Sequence, residues 1–580
     1  MRLSENYGAD KPYLQQAKRG FSVFYRGRTL LSRFDPVKQA ERAVESALPL
    51  KKRTLYLLPS PLLGYGIPLI MNNLPTGSAL LCVEADAALA EFSREYINAL
   101  KDSLNGDLCF IQTESPAEAA RFVRRTWGQR RFRRVETLHL TGGWQLNSEL
   151  YEAEAAVLRR LIATEWANAI TLTKLGRLYI RNAIRNLGLL ISRPDIGKLD
   201  FGSRPIFVLG AGPSLDNFLD NMARFPPPDS SVIICADTAL RPLKERNIKP
   251  NLVIALEAQH WNLRDFNGTG DWRVPVAMDM SALPAVSGVL GGETYVFWTR
   301  WTELSVFERL AALGLLPLEI PALGSVGLSA LSIALRLGSG TIFTAGIDFS
   351  FTLDKYHCRG SPSHSEALSR HNRFGGLYPA ILRALNATYA STVSHPQNVR
   401  DLAAKDARGV WRSDPVMKNY RDMFKAEFSG CGRVFAIAGG GLPPGVETIE
   451  YDAALRMIPD TIKPCLPNTG SEASNSSCRA GNTAAVSSKA ALMYAFIESE
   501  KKLLYELLGI LKGETIVPEG RLDSLLDDVS YLWAHFPDCA GAGGARPSSG
   551  DIGFLKRVRV EIEPFIKTWD MTARGLFERL

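Results

Sequence analysis

The apolar run Ile206 to Leu209 breaks directly into Gly210-Ala211-Gly212-Pro213-Ser214-Leu215, and this stretch restricts the fold more than any other. Four consecutive apolar residues ahead of a glycine turn read as a strand buried on both faces of a parallel sheet. Gly210 and Gly212 let the backbone turn sharply and approach a phosphate closely. Ser214 stands where it can cap a helix beginning near Leu215, whose unpaired amides would then face an anion. The three-glycine dinucleotide fingerprint is not completed, because Leu215 occupies the place of its third glycine. A strand, a glycine turn and a capped helix also occur where nothing binds, so the assignment rests on the segments downstream of this loop.

Ser231 to Ala236 reads as a second strand, ending at Asp237-Thr238, and Asn251 to Leu256 as a third, ending at Glu257-Ala258-Gln259. In an open parallel sheet the loops at the carboxyl ends of the strands converge on one crevice. Asp237, Glu257 and Gln259 are therefore expected beside the glycine loop, where acids hold ribose hydroxyls, a base edge or a metal. The competing reading makes Asp237 a helix cap and Glu257 part of a solvated loop. Further on, Gly324-Ser325-Val326-Gly327 opens an apolar helix to Leu337. The strand Thr341 to Ala345 then runs into Gly346-Ile347-Asp348, with His357 a short loop later. Right-handed crossovers bring this second turn to the same crevice. The competing reading of His357 is an ordinary loop histidine. His364 and His371 come after it at helical spacing, which leaves a metal or phosphate cluster open.

The ordered set GAGPSL, Asp237-Thr238-Ala239-Leu240-Arg241-Pro242, GSVGLSALSIALRLG from Gly324 and GIDFSFTLDKYH from Gly346 resembles the bacterial motility accessory factors. These are glycosyltransferases that modify flagellin, related to archaeal 6-hydroxymethylpterin diphosphokinases. Arg181-Asn182-Ala183-Ile184-Arg185-Asn186-Leu187 also looks like the family, and GAGPSL resembles the nucleotide loop of a bacterial sialyltransferase family. The resemblance covers roughly half the chain, and an ordered set is more specific than any single motif. Glu257 departs from it, standing where aspartate is usual, and so does Phe349-Ser350-Phe351 after the acid.

The resemblance implies a central doubly wound Rossmann-like domain similar to bacterial sialyltransferases. It also implies a CMP-linked pseudaminic, legionaminic or sialic-type donor, and an acceptor serine or threonine on flagellin or another protein. Amides at Ala211, Gly212, Ser214 and Gly327 would serve the departing phosphate. Gly210, Pro213, Asp237, Thr238, Glu257, Gln259, Gly324, Ser325 and Gly346 complete the expected nucleotide site. His357 is the expected base, because imidazole titrates near neutrality, with Asp348 beside it. No cofactor beyond the donor sugar is expected, and no metal.

Around residues 201–455, which hold this core, the chain supplies flanking parts. Residues 1–145 alternate strands (Arg53 to Leu58, Ala79 to Val83, Leu108 to Ile111, Glu136 to Leu140) with helical segments, and read as a smaller Rossmann-like domain. Its Gly64-Tyr65-Gly66 turn and Glu84 superficially suggest an adenosyl-cofactor site; a degenerate structural domain is the preferred reading. Residues 146–200 read as a pair of connecting helices. Arg433 to Ala438 reads as a further strand running into Gly439-Gly440-Gly441. Residues 456–489 have the Ser, Asn and Gly content of a linker, and 490–580 form a C-terminal helical domain suited to acceptor recognition.

Charge and cysteine content exclude several classes. A net charge of +8 is modest over 580 residues, and much of it is gathered between Arg121 and Arg134. Arginines interleaved with aromatics there fit an acidic partner, but no nucleic-acid module accompanies them, and the solvated face of an amphipathic helix is the preferred reading. The 8 cysteines form no CxxC pair, which argues against a zinc ribbon or a disulfide framework. Neither an apolar leader nor a bilayer-length apolar run is present, so a cytoplasmic protein without stable membrane insertion is expected.

The function expected from the residues and the resemblance together is transfer of an acidic sugar from a CMP donor to flagellin. The first rival is an ATP-dependent diphosphokinase in which Asp237, Glu257 and Asp348 hold magnesium. The second is a binding protein that keeps the fold without the chemistry.

Overall fold

The computed structural model describes residues 11–103, 107–127, 131–302, 304–352, 354–374, 376, 401–406, 409–459, 476–515, 518, 520–541 and 546–577. It divides into two units. One is Met1–Gly176 with Trp533–Asp551, the other Arg177–Leu532 with Ile552–Leu580.

The first unit opens with a small antiparallel sheet of β1 (Tyr13–Gln16), β2 (Phe21–Tyr25) and β3 (Arg28–Thr29). Its main sheet is parallel, built from β4 (Thr54–Pro59), β5 (Ala79–Glu84), β6 (Leu108–Gln112) and β7 (Arg134–Thr137) in the order β6-β5-β4-β7. Alternation decides which face each residue serves. Leu55, Leu57, Leu81 and Val83 join one core cluster, whereas Tyr56, Leu58, Leu80 and Cys82 join another. Such strands are buried on both sides and therefore read as unbroken apolar runs. β7 starts earlier than the expected Glu136, because Arg134 to Thr137 pair with Thr54 to Leu57.

Residues 148–186 form one continuous helix, Ser148–Asn186, in place of the expected pair. Its only glycine is Gly176, and a lone helical glycine costs about 1 kcal/mol, too little to break 39 residues.

The main sheet of the second unit has nine strands among the described residues: β8 (Ile206–Leu209), β9 (Val232–Ala236), β10 (Leu252–Ala255), β11 (Val276–Asp279), β12 (Thr294–Thr299), β13 (Glu319–Ile320), β14 (Ile342–Ala345), β18 (Val434–Ile437) and β19 (Glu447–Ile449). All pairings are parallel, in the order β13-β12-β11-β10-β9-β8-β14-β18-β19. Ile206, Val208, Ile234, Ile254 and Ile342 face the helix Val326–Leu337, which is apolar on nearly every side and accordingly buried. On the opposite face Phe207 stacks with Phe343 and Phe218 at ring distances of 5.1 and 6.0 Å. A small antiparallel sheet of β15 (Phe351–Thr352), β16 (Asp401–Asp406) and β17 (Gly409–Ser413) lies outside the main one. The observed architecture is α/β, with a doubly wound central sheet, a smaller Rossmann-like sheet and C-terminal helices.

Those helices are Ser476–Lys512, Arg521–Asp528 and Ile552–Phe577. Residues 460–475 of the expected linker lie outside the described residues, and helix begins at Ser476. Among the described residues no helix is long and apolar enough to cross a membrane.

Candidate functional site

Chain order in the nine-stranded sheet reverses between β8 and β14. Loops leaving the carboxyl ends of two such strands splay apart or meet at a crevice where ligands bind in open α/β sheets. Here the loop after β8 carries Gly210 to Ser214, and the loop after β14 carries Gly346 to Asp348. Leu209 lies opposite Ala345, so the two loops start level with one another.

The two loops are in contact, and glycine is what lets them approach. Gly346 has φ +68, and a Cβ there would lie 2.5 Å from the Gly210 carbonyl oxygen. A Cβ on Gly212 would meet Asp348 Oδ2 at 2.5 Å. Ile347 reaches from Gly210 to Gly327, packing 3.4 Å from where a Gly327 Cβ would stand, so both expected glycine turns border the same ground. Phe349 comes next after Asp348 with φ +50, an unusual conformation for a bulky side chain and a sign of a strained turn.

Two of the amides expected to serve a phosphate are already donated within the protein. Gly212 N–H goes to the Gly346 carbonyl at 2.8 Å. Ser214 N–H goes to Asp348 Oδ2 at 2.8 Å, and the Ser214 hydroxyl donates to Asp348 Oδ1. Ser214 therefore sits at the helix start without capping it through its side chain. The carboxylate of Asp348 stands where the sequence places an anion, and its burial pushes its pKa up to about 6 despite the two donors. At the second turn, too, the side chain of the cap residue Ser325 does not cap the helix Val326–Leu337. Gly324, at φ +69, packs on Tyr420.

A cavity of about 390 Å³ opens between the carboxyl ends of β14 and β18, walled by Gly346, Ile347 and Asp348 on one side and Gly439 to Pro444 on the other. Gly439, Gly440 and Gly441 are thus part of the cavity wall at this edge. Gly439 comes against Ser214, and Gly441 against the Asp348 carbonyl and the Ser350 hydroxyl.

His357 lies on the other side of the glycine loop. Its neighbour Cys358 donates its amide to the Ala211 carbonyl at 2.9 Å. The half-buried imidazole places Nδ1 2.6 Å from the Ser363 hydroxyl, on the helix Pro362–Arg370. Burial lowers its pKa to about 4, with the Arg264 charge and then His364 adding to the effect, so the ring is neutral at physiological pH. His364 is on the same helix, and its Nδ1 is buried without a partner among the described residues. His371 lies at that helix's end.

Asp237 and Thr238 form a tight turn after β9, with Thr238 N–H and hydroxyl donating to Asp237 Oδ1 at 2.8 and 3.3 Å. Asp237 Oδ2 accepts from Asn262 Nδ2 at 2.8 Å, and the same amide reaches Asp265 Oδ2 at 3.3 Å. Burial, first, and their mutual repulsion, with Glu257 contributing, push both carboxyls up. Glu257 accepts the Gln259 amide at 2.9 Å. These acids share no hydrogen-bond partner with Asp348, whose oxygens Ser214 holds. Among the described residues no group of three His, Cys, Asp or Glu is arranged to hold a metal.

The short turn His260–Phe266 after β10 carries three residues that sequence reasoning misses: Asn262, Arg264 and Asp265. Their signal is a cluster of polar residues immediately past a strand end, which loop composition alone disguises. Asn182 and Asn186 stand out in the sequence only as part of a motif. Asn182 donates to the carbonyls of Ala258 and Ser281 at 3.0 and 3.2 Å, and Asn186 to those of Met280 and Ala282 at 2.8 and 2.9 Å. They fasten their helix to loops at the carboxyl edge.

In the first unit the corresponding acid is sealed. Glu84 is fully buried, accepts the Tyr151 hydroxyl at 2.9 Å and the Asp86 amide at 3.1 Å, and has a pKa raised to about 7 by burial. Tyr25 and Arg26 of the small sheet close over Asp86. The basic stretch is likewise structural in part. Phe132 is fully buried, and Arg131 pairs with Asp107 and donates to the Ser78 carbonyl.

Residues 181–354 match the model of the family described as 6-hydroxymethylpterin diphosphokinase MptE-like. The chain is 28% identical over 575 residues to an uncharacterised protein of Treponema pallidum (strain Nichols), covering 96% of this chain and 94% of that one. Its fold is similar to the structure of a Maf glycosyltransferase from Magnetospirillum magneticum AMB-1. The TM-score is 0.52 at 16% identity, over 98% of this chain and 92% of the other. The resemblance read from the sequence therefore holds in the MptE-like segment and in the fold of nearly the whole chain.

Proposed function

We propose that this protein is a glycosyltransferase that moves an acidic nine-carbon sugar from a CMP donor to a hydroxyl of flagellin or another protein. The observation that carries the reading is the contact of the two loops at the β8–β14 reversal, with Gly346 against Gly210, Ile347 reaching Gly327, and His357 next to the residue whose amide bonds Ala211, in a fold similar to a Maf glycosyltransferase. Fold similarity alone assigns no chemistry, so the residues have to account for it.

In the transfer, the acceptor oxygen bonds to the anomeric carbon while the bond from that carbon to the phosphate oxygen breaks, and CMP leaves with the electron pair. The acceptor proton goes to His357. In the tautomer whose Nδ1–H donates to the Ser363 hydroxyl, Nε2 is the basic nitrogen, and the depressed pKa keeps it unprotonated. Asp348 holds the glycine loop through Ser214, and the uncapped helix start at Ser325 supplies a positive end for the phosphate.

A thermal-shift panel of CMP, UDP, GDP and ATP, with and without magnesium, tests the reading. Preferential stabilisation by CMP supports it. Stabilisation by ATP alone, dependent on magnesium, would transfer the protein to the pyrophosphoryl-transfer reading that the MptE-like match favours. His357→Ala should abolish transfer and keep CMP binding; retained transfer would remove His357 from the mechanism.

A further inference from the structure

With the Gly212 and Ser214 amides engaged, a nucleotide phosphate needs positive charge from elsewhere in the crevice. Most cations at this edge are already bound by acids. Lys355 sits 2.8 Å from Asp216, and Arg359 and Arg246 each pair with Asp216 and with Asp220. Asp216 is nearly fully buried, so these pairs are built into the helix Leu215–Arg224 and its surroundings.

Arg264 is placed differently. One guanidinium nitrogen lies 3.2 Å from Glu366, whose other oxygen is taken by Arg370 at 2.5 Å. Its Nε is buried and has no partner among the described residues. Ser363 and Glu366 lie three residues apart on the helix Pro362–Arg370, hence on one face. Ser363 holds His357 and Glu366 holds Arg264, so the imidazole and the guanidinium stand side by side. His364 of the same helix, 8% exposed, adds a second unpartnered nitrogen at Nδ1.

We infer that Arg264 is the side-chain cation that receives the nucleotide's phosphate beside His357, sharing Glu366 or giving it up when the nucleotide enters. Arg264 Nε is shielded from solvent in the free protein, so its edge meets an oxyanion only as the side chain shifts from Glu366; the planar guanidinium then presents two parallel donors, which a lysine cannot do. Glu366 occupies in the free protein the position of a competing anion. The inference rests on the reading that this crevice takes a nucleotide.

The test compares CMP with cytidine by calorimetry on the full-length protein, in wild type, Arg264→Gln, Arg264→Lys and Glu366→Gln, with circular dichroism and melting temperature confirming that each variant folds. Arg264→Gln should weaken CMP by about tenfold or more and leave cytidine unchanged, because only the phosphate contact is lost. Arg264→Lys should recover part of the loss, and Glu366→Gln should tighten CMP by removing the competitor. Equal weakening of CMP and cytidine, or no change in CMP, would overturn the assignment. So would a loss confined to free N-acetylneuraminate, titrated as a third ligand against the same variants, which would move the group from the phosphate to the sugar carboxylate. If wild type binds no cytidine nucleotide, the transferase reading fails separately, and ATP against adenosine then decides the role of Arg264. Binding of neither nucleotide ends both.

Discussion

Asp348 and Glu154 are both buried carboxyls, but their surroundings make opposite demands. Asp348 accepts two hydrogen bonds from Ser214, so Asp348→Ala leaves a buried amide and hydroxyl without an acceptor. A loss of about 1–3 kcal/mol is expected, with Asp348→Asn retaining most of the stability, measured by denaturant unfolding. Glu154 is fully buried with neither oxygen partnered among the described residues, and burial, then the charge of Glu84, raises its pKa to about 8. Between its ordinary value of 4.5 and about 8 the folded state binds the extra proton, so stability falls as pH rises through that window. Glu154→Gln should therefore raise the melting temperature at alkaline pH and change it little at acid pH; an unchanged slope would refute this. His357 leads to a kinetic expectation of the same kind. With its pKa lowered from 6.5 to about 4, kcat/KM should lack the acid limb near 6.5 that an ordinary imidazole base produces.

The strand-turn-helix units are joined at the carboxyl edge by contacts too close for a side chain. Gly346→Ala places a methyl group 2.5 Å from the Gly210 carbonyl at φ +68, a conformation costing an L-residue about 1–2 kcal/mol before the clash is counted. The variant should melt lower and lose its response to nucleotide. Gly430→Ala, with open space around it, should do neither. The paired asparagines on the long helix act over a similar range. Asn186→Ala frees the Met280 and Ala282 carbonyls, and Asn182→Ala those of Ala258 and Ser281, which loosens the loops on which Glu257 and Gln259 sit. These elements also explain why the first motif is legible. A four-residue apolar strand ahead of glycines has few folded alternatives, whereas the 39-residue helix reads as two because charged and apolar stretches alternate along it.

Two parallel sheets of the same general kind occur in one chain, and their carboxyl edges differ. In the first unit, Glu84 is buried under Tyr151, Tyr25 and Arg26 close over the adjoining acid, and a cavity of about 410 Å³ beside Gly64 to Gly66 leaves Glu84 out of its lining; in the second, the cavity includes Asp348 itself. S-adenosylmethionine should accordingly give no thermal shift under conditions where the preferred nucleotide gives one; a shift with it would reopen the first site. Local pattern was enough to mark β8, β9, β10, β14 and β18 and to expect Gly210 and Gly346 at one edge, because periodicity and crossover handedness are properties of short segments, whereas β11 to β13, β19 and the reversal point came only with the fold. Which donors remain free there was not written in any segment. Ser214 and Asp348 are 134 residues apart, and Arg264 meets Glu366 across 102, so only folding brings each polar group to the partner that satisfies it or leaves it open.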